Sequence, residues 1–388
     1  AAVIVELGPG PGTGSTRSLA AGLKRSRLRD KCHVSVDINP DAPVYERPNA
    51  DYWHFVCGDS RDPETLAAVQ RYLPDRYADI IFIDTIHNPD QIEAELPLWA
   101  GIAHPGTHWF FHDTWEQNRG FRDNYNPMTD SIKRFATGNG WIYQDCSTAC
   151  NGLGHMWRLP KISLCIPTMN RWGFLEQSLP RYLDSIAIDE IIVADETGED
   201  AALIAKAFQH PKLHVHTNAR RLGSMLNKIQ VALMARNNCV CLMDSDNYAG
   251  PPYFASFLAH IMERQCFEPD VIYAPSFAFH HFSFGVQQVA VNQIAQADPL
   301  MLNLGNFIVN NDMLNLDLRN EPDAEHAAGM CSLYLVLLMM EQHHAVFRTV
   351  PNMGYNHEIH PDSDYLKNAA SAEALLNKLK DRMKLLCA

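Results

Sequence analysis

No apolar run in this 388-residue chain approaches the roughly 20 residues that a helix needs to span a bilayer, so no membrane crossing is expected. A basic surplus is missing as well. There are 32 Lys and Arg against 45 Asp and Glu, a formal net charge of −13, and neither half of the chain is basic. That balance argues against a nucleic-acid binder, which would present a basic face. The ten cysteines lack the paired spacing of a structural zinc site: Cys146 with Cys150, and Cys239 with Cys241, have no second pair to complete them. Several cysteines fall inside apolar runs, where a thiol behaves as a small hydrophobe, and a reducing, cytoplasmic compartment is the expectation. No signal peptide is visible, and the chain opens abruptly on a strand, as a sequence truncated at its N-terminus would. Bias toward disorder is also absent, with 46% hydrophobic and 20% charged residues.

What is present is a pattern that occurs twice. The length predicts two domains, and Pro160-Lys161 is the only visible joint, giving 1–159, 160–365 and a C-terminal helix over 366–388. In front, "AVIVELGPGPGTGST" reads as a buried strand, a glycine-dense turn and a helix starting near Ser15 or Thr16. Glycines 8, 10, 12 and 14 let backbone approach a ligand closely, and the helix N-terminus offers unpaired N–H groups. A dinucleotide fingerprint would need its third glycine at Thr13, so a nicotinamide dehydrogenase fits poorly. An acid at the strand end, Glu6, suits a ligand carrying an ammonium, S-adenosylmethionine. Four further strands end in polar residues: Asp37, placed for ribose hydroxyls; Asp59 and Ser60, for an adenine amino group; Asp84 and His87; then His112 and Asp113. Before that last strand, "HPGT" reads as a turn. Strand ends that collect polar groups on one edge are what an open α/β sheet uses to bind a ligand.

The rear half repeats the device. "ISLCIPTMNR" is a buried strand ending in Pro167, Thr168, Asn170 and Arg171; "EIIVADE" ends in Asp195 and Glu196; "LHVHT" leads to a loop with Arg221 and Gly223 and a helix with Asn227. "NCVCLMDSDN" then ends in Asp244 and Asp246. Read as continuing the strand, these two carboxylates point the same way and need a cation beside them. Mg²⁺ or Mn²⁺ with oxygen ligands is the natural partner, with positions open for phosphate oxygens.

Over residues 2–159 the sequence resembles the class I S-adenosylmethionine-dependent methyltransferases. "FIDTIHNPDQIEAELPLW", "PGTHWFFHDTW" and "NGLGHMWRL" look like the branch that methylates hydroxyls of small molecules and sugars. The resemblance implies a cofactor site at Glu6, Gly8, Gly10, Gly12, Asp37, Asp59 and Ser60. It also implies, in metal-assisted members, an ion near Asp84 and Asp113. This chain has His112-Asp113 where some members have two acids, so His87 or His112 could instead be the base for the acceptor hydroxyl.

Over residues 160–365 the motif order resembles GT-A-fold glycosyltransferases of the family 2 type. That implies a nucleotide-diphosphate sugar bordered by Pro167, Thr168, Asn170, Arg171, Asp195, Glu196, Arg221, Gly223 and Asn227, with Asp244 on ribose or metal and Asp246 on the metal. Gly305 and Asn306 would border sugar and acceptor, and His357 and His360 would approach phosphate or metal. Family members carry a Glu-Asp pair opening a helix before a "VP" strand; here that helix, "CSLYLVLLMM", is uncharged, and the nearest acids are Glu321, Asp323 and Glu325, of which Asp323 or Glu325 is expected as base. The tail "SAEALLNKLKDRMKLL" reads as an amphipathic helix for packing or homo-oligomer contact. The expected whole is a bifunctional α/β enzyme acting on a glycan or glycoconjugate acceptor. Its rivals are a glycosyltransferase with a non-catalytic front module and a non-enzymatic sugar-binding scaffold.

Overall fold

The computed structural model describes residues 2–26, 30–42, 51–73, 77–114, 127–282, 285–290, 306–324, 327, 330–358, 374–379 and 382. Gly305, Glu325 and His360 lie outside the described residues, as does the side chain of His357. The chain divides into two compact units, Ala1–Leu159 and Pro160–Ala388.

In the front unit, buried apolar runs form parallel strands: β1 (Ala2–Leu7), β2 (Lys31–Asp37), β3 (Trp53–Cys57), β4 (Ala78–Ile83) and β5 (Ala103–His112). β6 (Ile142–Ser147) and β7 (Leu153–Trp157) complete a seven-stranded sheet in the order β3-β2-β1-β4-β5-β7-β6, with β7 antiparallel to both neighbours. Crossovers are made by α1 (Ser15–Arg25), α2 (Pro63–Gln70), α3 (Pro89–Trp99) and α4 (Pro127–Gly138). Strand order reverses between β1 and β4, which opens a crevice at their carboxyl ends. Alternate residues Val3, Val5 and Leu7 enter a core with Ile81, Ile83, Leu96, Trp99 and Trp109. The "HPGT" segment is not a turn before β5. It lies inside that strand as an irregularity, with Ala78 opposite Ala103 but Ile80 opposite His108.

The rear unit holds a nine-stranded mixed sheet. Its parallel part is β10 (Leu213–Thr217), β9 (Ile188–Asp195), β8 (Ile162–Thr168) and β11 (Cys239–Met243). Helices α5 (Trp172–Leu183), α6 (Glu199–Ala207) and α7 (Ser224–Leu233) connect these strands. Beyond β11 come β15 (Asn306–Asn310), β13 (Val271–Phe282), β16 (Val346–Glu358) and the short β12 (Asn247–Tyr248), with β14 (Gly285–Ala290) on β13. α8 (Pro251–Arg264) precedes β13, and α9 (Cys331–His343) precedes β16. α9 is apolar nearly all round because it is buried nearly all round. The order reverses at β8, between β9 and β11, so a second crevice opens where Asp244 follows β11.

Leu375, Leu376 and Leu379 of the C-terminal segment are buried in this unit's own core, and Arg382 pairs with Glu321 and Glu341. Of the apolar face expected for packing or for a second copy, these three leucines are covered within the chain. No described helix is long and apolar enough to cross a membrane.

Candidate functional site

In the front crevice the glycine loop leaves β1. Gly8 has a φ of +80°, and a Cβ there would lie 2.1 Å from the Asp84 carbonyl oxygen; one on Gly10 would meet nothing within 4 Å. The loop thus packs against β4 at one end and faces open space at the other. Asp37 accepts N–H groups from Gly10 (3.3 Å) and Asn39 (2.9 Å), tying the end of β2 to the loop. Beside it Ile38 is 70% exposed, an apolar wall next to a carboxylate.

Glu6 does not reach this opening. Its carboxylate is fully buried, accepting from Thr16 (3.0 Å) and Ser35 (2.7 Å), with His33 Nε2 at 3.1 Å. Burial alone would raise this carboxyl; the hydrogen bond and charge of His33, with Ser15 and Ser35, outweigh it and hold it below its ordinary value. The expectation that Glu6 meets a ligand's ammonium is corrected accordingly: Glu6 lies beneath the loop, hydrogen-bonded to Thr16 in the first turn of α1. Asp59 is held by Arg61 at 2.7 Å, and the Ser60 hydroxyl points inward to Glu95 at 2.5 Å.

Glu95, on α3, was not foreseen from the sequence, and neither was Lys228 in the rear crevice. Fully buried, Glu95 also accepts from Gln91 (2.6 Å) and Thr85 (3.0 Å), so one carboxylate joins the ends of β3 and β4. Desolvation raises its pKa, against the pull of those donors. The available signal was an acid on the buried stripe Gln91, Ile92, Leu96 and Trp99.

At the ends of β4 and β5, four predicted residues meet. His87 Nε2 lies 3.2 Å from Asp84 Oδ1, and its Nδ1 lies 3.2 Å from Asp113 Oδ2. His112 Nδ1 lies 2.9 Å from Asp113 Oδ1 and 3.3 Å from Asp84 Oδ1. Asp113 takes a left-handed φ of +58°, which turns its carboxylate back toward the group. One ligand atom from each of the four lies within 4.8 Å of the others. Burial alone would lower the His87 pKa; Asp84, Asp113 and Glu95 outweigh it and raise it.

In the rear crevice the strand ends of β8 and β9 are knitted together. Thr168 donates to Asp200 at 2.6 Å, the Arg171 N–H donates to the same carboxylate, and Asp195 accepts from Thr197 and Ala201. Asn170, at a φ of +56°, accepts from Thr197 at 3.1 Å. Asn227 bridges Asn218 and the Ala194 carbonyl, holding α7 to β9. Glu196 accepts the Leu222 N–H with one oxygen (2.7 Å); its other oxygen is buried with no hydrogen-bond partner among the described residues. Arg221 is exposed, and Gly223 (φ +87°) precedes α7.

The Asp244–Asp246 pair is not an extended strand. β11 ends at Met243, and a turn follows, closed by Asn247 N–H donating to the Asp244 carbonyl at 3.0 Å. Strand alternation therefore does not govern how the two carboxylates face. Nor does Asp244 lack a cation: Lys228 of α7, 1% exposed, reaches its Oδ1 at 2.6 Å. Lys228 also donates to Ser332 at 2.6 Å. Burial works to lower the Lys228 pKa, and Asp244 with Cys331 more than reverses that, leaving it well above the ordinary lysine value. Asn306 sits opposite Met243 in the β11–β15 register and accepts from Asn247 Nδ2 at 2.9 Å; its own Nδ2 is buried without a partner among the described residues. His357 sits opposite Asn247 in the β12–β16 register, one residue past Asp246. Asp323 is drawn elsewhere, to Lys378 at 3.0 Å.

Residues 5–114 match the family model of a methyltransferase domain, and residues 163–311 match that of glycosyl transferase family 2. The chain joins a methyltransferase domain to a family 2 glycosyl transferase domain. Among solved structures it is similar to GalNAc-T7 with UDP, GalNAc and Mn²⁺ (14% identity, TM-score 0.39, 55% of this chain and 47% of that one). It is also similar to S. aureus TarS in complex with UDP (15%, 0.38, 53% and 62%). A third is the mannosyltransferase PcManGT from Pyrobaculum calidifontis in complex with GDP-Man and Mn²⁺ (13%, 0.40, 56% and 62%). The chain thus spans between 47% and 62% of the length of these three structures. No curated protein matches the sequence.

The methyltransferase domain yields a direct test of its loop. Gly8→Ala forces a Cβ onto the Asp84 carbonyl at a positive φ. Strain in the left-handed region and overpacking together should destabilise this domain by about 2–4 kcal/mol, read from urea unfolding. Gly10→Ala, whose Cβ meets open space, should cost about 1–2 kcal/mol, the left-handed strain alone.

Proposed function

We propose that the glycosyl transferase domain moves a sugar from a nucleotide-diphosphate donor to a glycan or glycoconjugate acceptor with a divalent cation, and that the methyltransferase domain methylates a hydroxyl, on a sugar, from S-adenosylmethionine. The observation that carries the first half is the rear crevice itself. Around the turn after β11 stand Asp244, Asp246, the buried Lys228 ammonium and, opposite the end of β11, Asn306 Nδ2; at the end of β9, two strands away on the same sheet edge, stands Glu196 Oε1, and both of these buried polar atoms have no partner among the described residues. Buried polar atoms without partners are costly, so a ligand that satisfies both fits the site. An acceptor at Glu196 suits a ring N–H of a nucleotide base, and a donor at Asn306 suits a sugar or phosphate oxygen.

The two aspartates suit Mg²⁺ or Mn²⁺, which is bound by one or two carboxylates and completed by phosphates and water. Such an ion would neutralise the departing nucleoside diphosphate. Lys228 fixes the Asp244 carboxylate and adds positive charge behind it, Asn247 and Asn306 fix the turn, and β16 brings His357 alongside. The acceptor base is proposed to be Asp323 or Glu325. Asp323 would have to leave Lys378 to serve.

For methyl transfer the cradle is the Gly8–Gly14 loop, with Asp37 for ribose hydroxyls and Ile38 for a purine face. Asp84, His87, His112 and Asp113 stand at the next strand ends, where an acceptor hydroxyl would be held and deprotonated. Attack on a sulfonium is an in-line displacement that needs positioning above all. The proposed setting is the cytoplasm, with small-molecule donors and no nucleic acid.

The test is a screen of nucleotide sugars with Mn²⁺ and Mg²⁺, reading donor hydrolysis and thermal stabilisation, beside calorimetry with S-adenosylmethionine. A donor should be hydrolysed, and should stabilise the chain by about 2.7 kcal/mol at 100-fold excess over its Kd. No heat with S-adenosylmethionine, with donor hydrolysis intact, would make the front domain a non-catalytic module. Neither signal would leave a sugar-binding scaffold.

A further inference from the structure

Two aspartates and two histidines close together in the methyltransferase domain are a different donor set from the all-carboxylate pair in the rear crevice. We infer that His87 and His112 are metal ligands rather than bases, and that with Asp84 and Asp113 they form a centre selective for a first-row transition metal ion over Mg²⁺. This extends the methyl-transfer reading but does not need its donor: the metal measurement stands whether or not S-adenosylmethionine binds.

His112 Nδ1 is shut off from solvent and lies 2.9 Å and 3.3 Å from two carboxylate oxygens, yet forms no hydrogen bond with any described residue. A ring nitrogen that faces oxygens without hydrogen-bond alignment is poorly placed as a donor and well placed as a ligand. His87 shows both of its nitrogens to carboxylates, at 3.2 Å each. A proton on His87 could bridge those two acids, but it would leave His112 unexplained. A cation among the four accounts for His112 Nδ1 and for one nitrogen of His87, whose other nitrogen keeps a carboxylate as its hydrogen-bond partner.

Distances agree. In octahedral coordination, ligand atoms at about 2.1 Å from an ion are about 3 Å apart when adjacent and about 4.2 Å when opposite. With one atom from each residue, His112 Nδ1 stands 2.9 Å from Asp113 Oδ1 and 3.3 Å from Asp84 Oδ1, His87 Nε2 stands 3.2 Å from Asp84 Oδ1, and one ligand atom from each of the four falls within 4.8 Å of the others. The identity of the ion follows from the donors. Mg²⁺ favours oxygen and keeps its waters, whereas imidazole suits Fe²⁺, Co²⁺, Ni²⁺ and Zn²⁺, and affinities at such sites rise from Mn²⁺ through Fe²⁺ and Co²⁺ to Ni²⁺ and Cu²⁺ before falling at Zn²⁺. Two aspartates complete the charge balance for a divalent ion. A bound ion of this kind would hold the acceptor hydroxyl as a Lewis acid.

The experiment uses the full chain carrying Asp246→Asn, so that the rear crevice does not compete. After chelator treatment it is titrated with Co²⁺ and with Mn²⁺, with Mg²⁺ as competitor. One Co²⁺ per chain should bind with visible ligand-field absorption, and a 100-fold excess of Mg²⁺ should displace less than half of it. Pulsed electron spin resonance of the Mn²⁺ form should show nitrogen couplings from imidazole. His87→Gln and His112→Gln should each weaken Co²⁺ binding by at least ~10-fold. Displacement by equimolar Mg²⁺, missing nitrogen couplings, unchanged binding in both variants, or no bound ion at all would each overturn the inference. Should either variant fail to fold, the nitrogen couplings of the unmutated centre still decide.

Discussion

Asp246→Asn should reduce metal-dependent donor hydrolysis by at least ~10²–10³-fold while leaving the fold intact. Charge sets the size of this loss. In the turn after β11, Asp244 already shares its negative charge with the buried Lys228 ammonium. With Asp246 ionised, the three groups sum to one negative charge, which attracts a divalent ion. With asparagine there they sum to zero, and the site loses its field for the cation while keeping its shape. The turn itself rests on Asn247, through its N–H to the Asp244 carbonyl and its side chain to Asn306, and both contacts survive the substitution. Release of nucleoside diphosphate against Mn²⁺ concentration is the measurement. A variant that keeps more than a tenth of the activity at saturating Mn²⁺ would remove Asp246 from the reaction and with it the proposed role of the pair.

The features legible in the sequence were those set by local pattern. A parallel strand buried on both faces reads as an apolar run, and the residues that follow it are polar because they leave the core. That is why "AVIVEL", "ADIIFI", "ISLCIPT" and "CVCLM" could be placed as β1, β4, β8 and β11, with their ends collected at two crevices. Asp84, His87, His112 and Asp113 were each visible as strand ends, though not that their ligand atoms would meet within 4.8 Å. What stayed hidden depends on register and on what a helix brings across. Glu6 looked available for a ligand because nothing local shows that it lies opposite Ser35 and under Thr16. Glu95 joins two strand ends through donors 35 and 10 residues away. Lys228 carried a faint signal: it lies on the buried stripe of α7 with Met225, Ile229 and Ala232, where a lysine needs a reason. That reason, Asp244, is nonlocal.

Lys228→Met should cost the glycosyl transferase domain about 3 kcal/mol and most of its transferase activity. The methionine fills the volume, so the loss is electrostatic. Asp244 keeps its charge without the ammonium, and the Ser332 hydroxyl loses its donor. Breaking a buried pair from one side carries a penalty of about 3–5 kcal/mol; Asp244 is 29% exposed, which places this case at the low end. The pH dependence follows from the direction of the Lys228 shift. A pKa raised in the folded state stabilises fully below the unfolded lysine value of about 10.4, and that contribution is lost only as pH climbs through the higher folded value. The difference between variant and parent should thus be flat from pH 6 to 9 in urea unfolding; a difference that vanishes by pH 9, or one below 1 kcal/mol, would mean that no buried charge is held there. Adding Asp244→Asn separates stability from function. With both charges gone, no charge is left without its partner, and the double variant should regain more than half of the lost stability. Its transfer activity should stay lost, because the cation then keeps only Asp246. Recovery of both together would instead make the pair a structural brace beside the reaction.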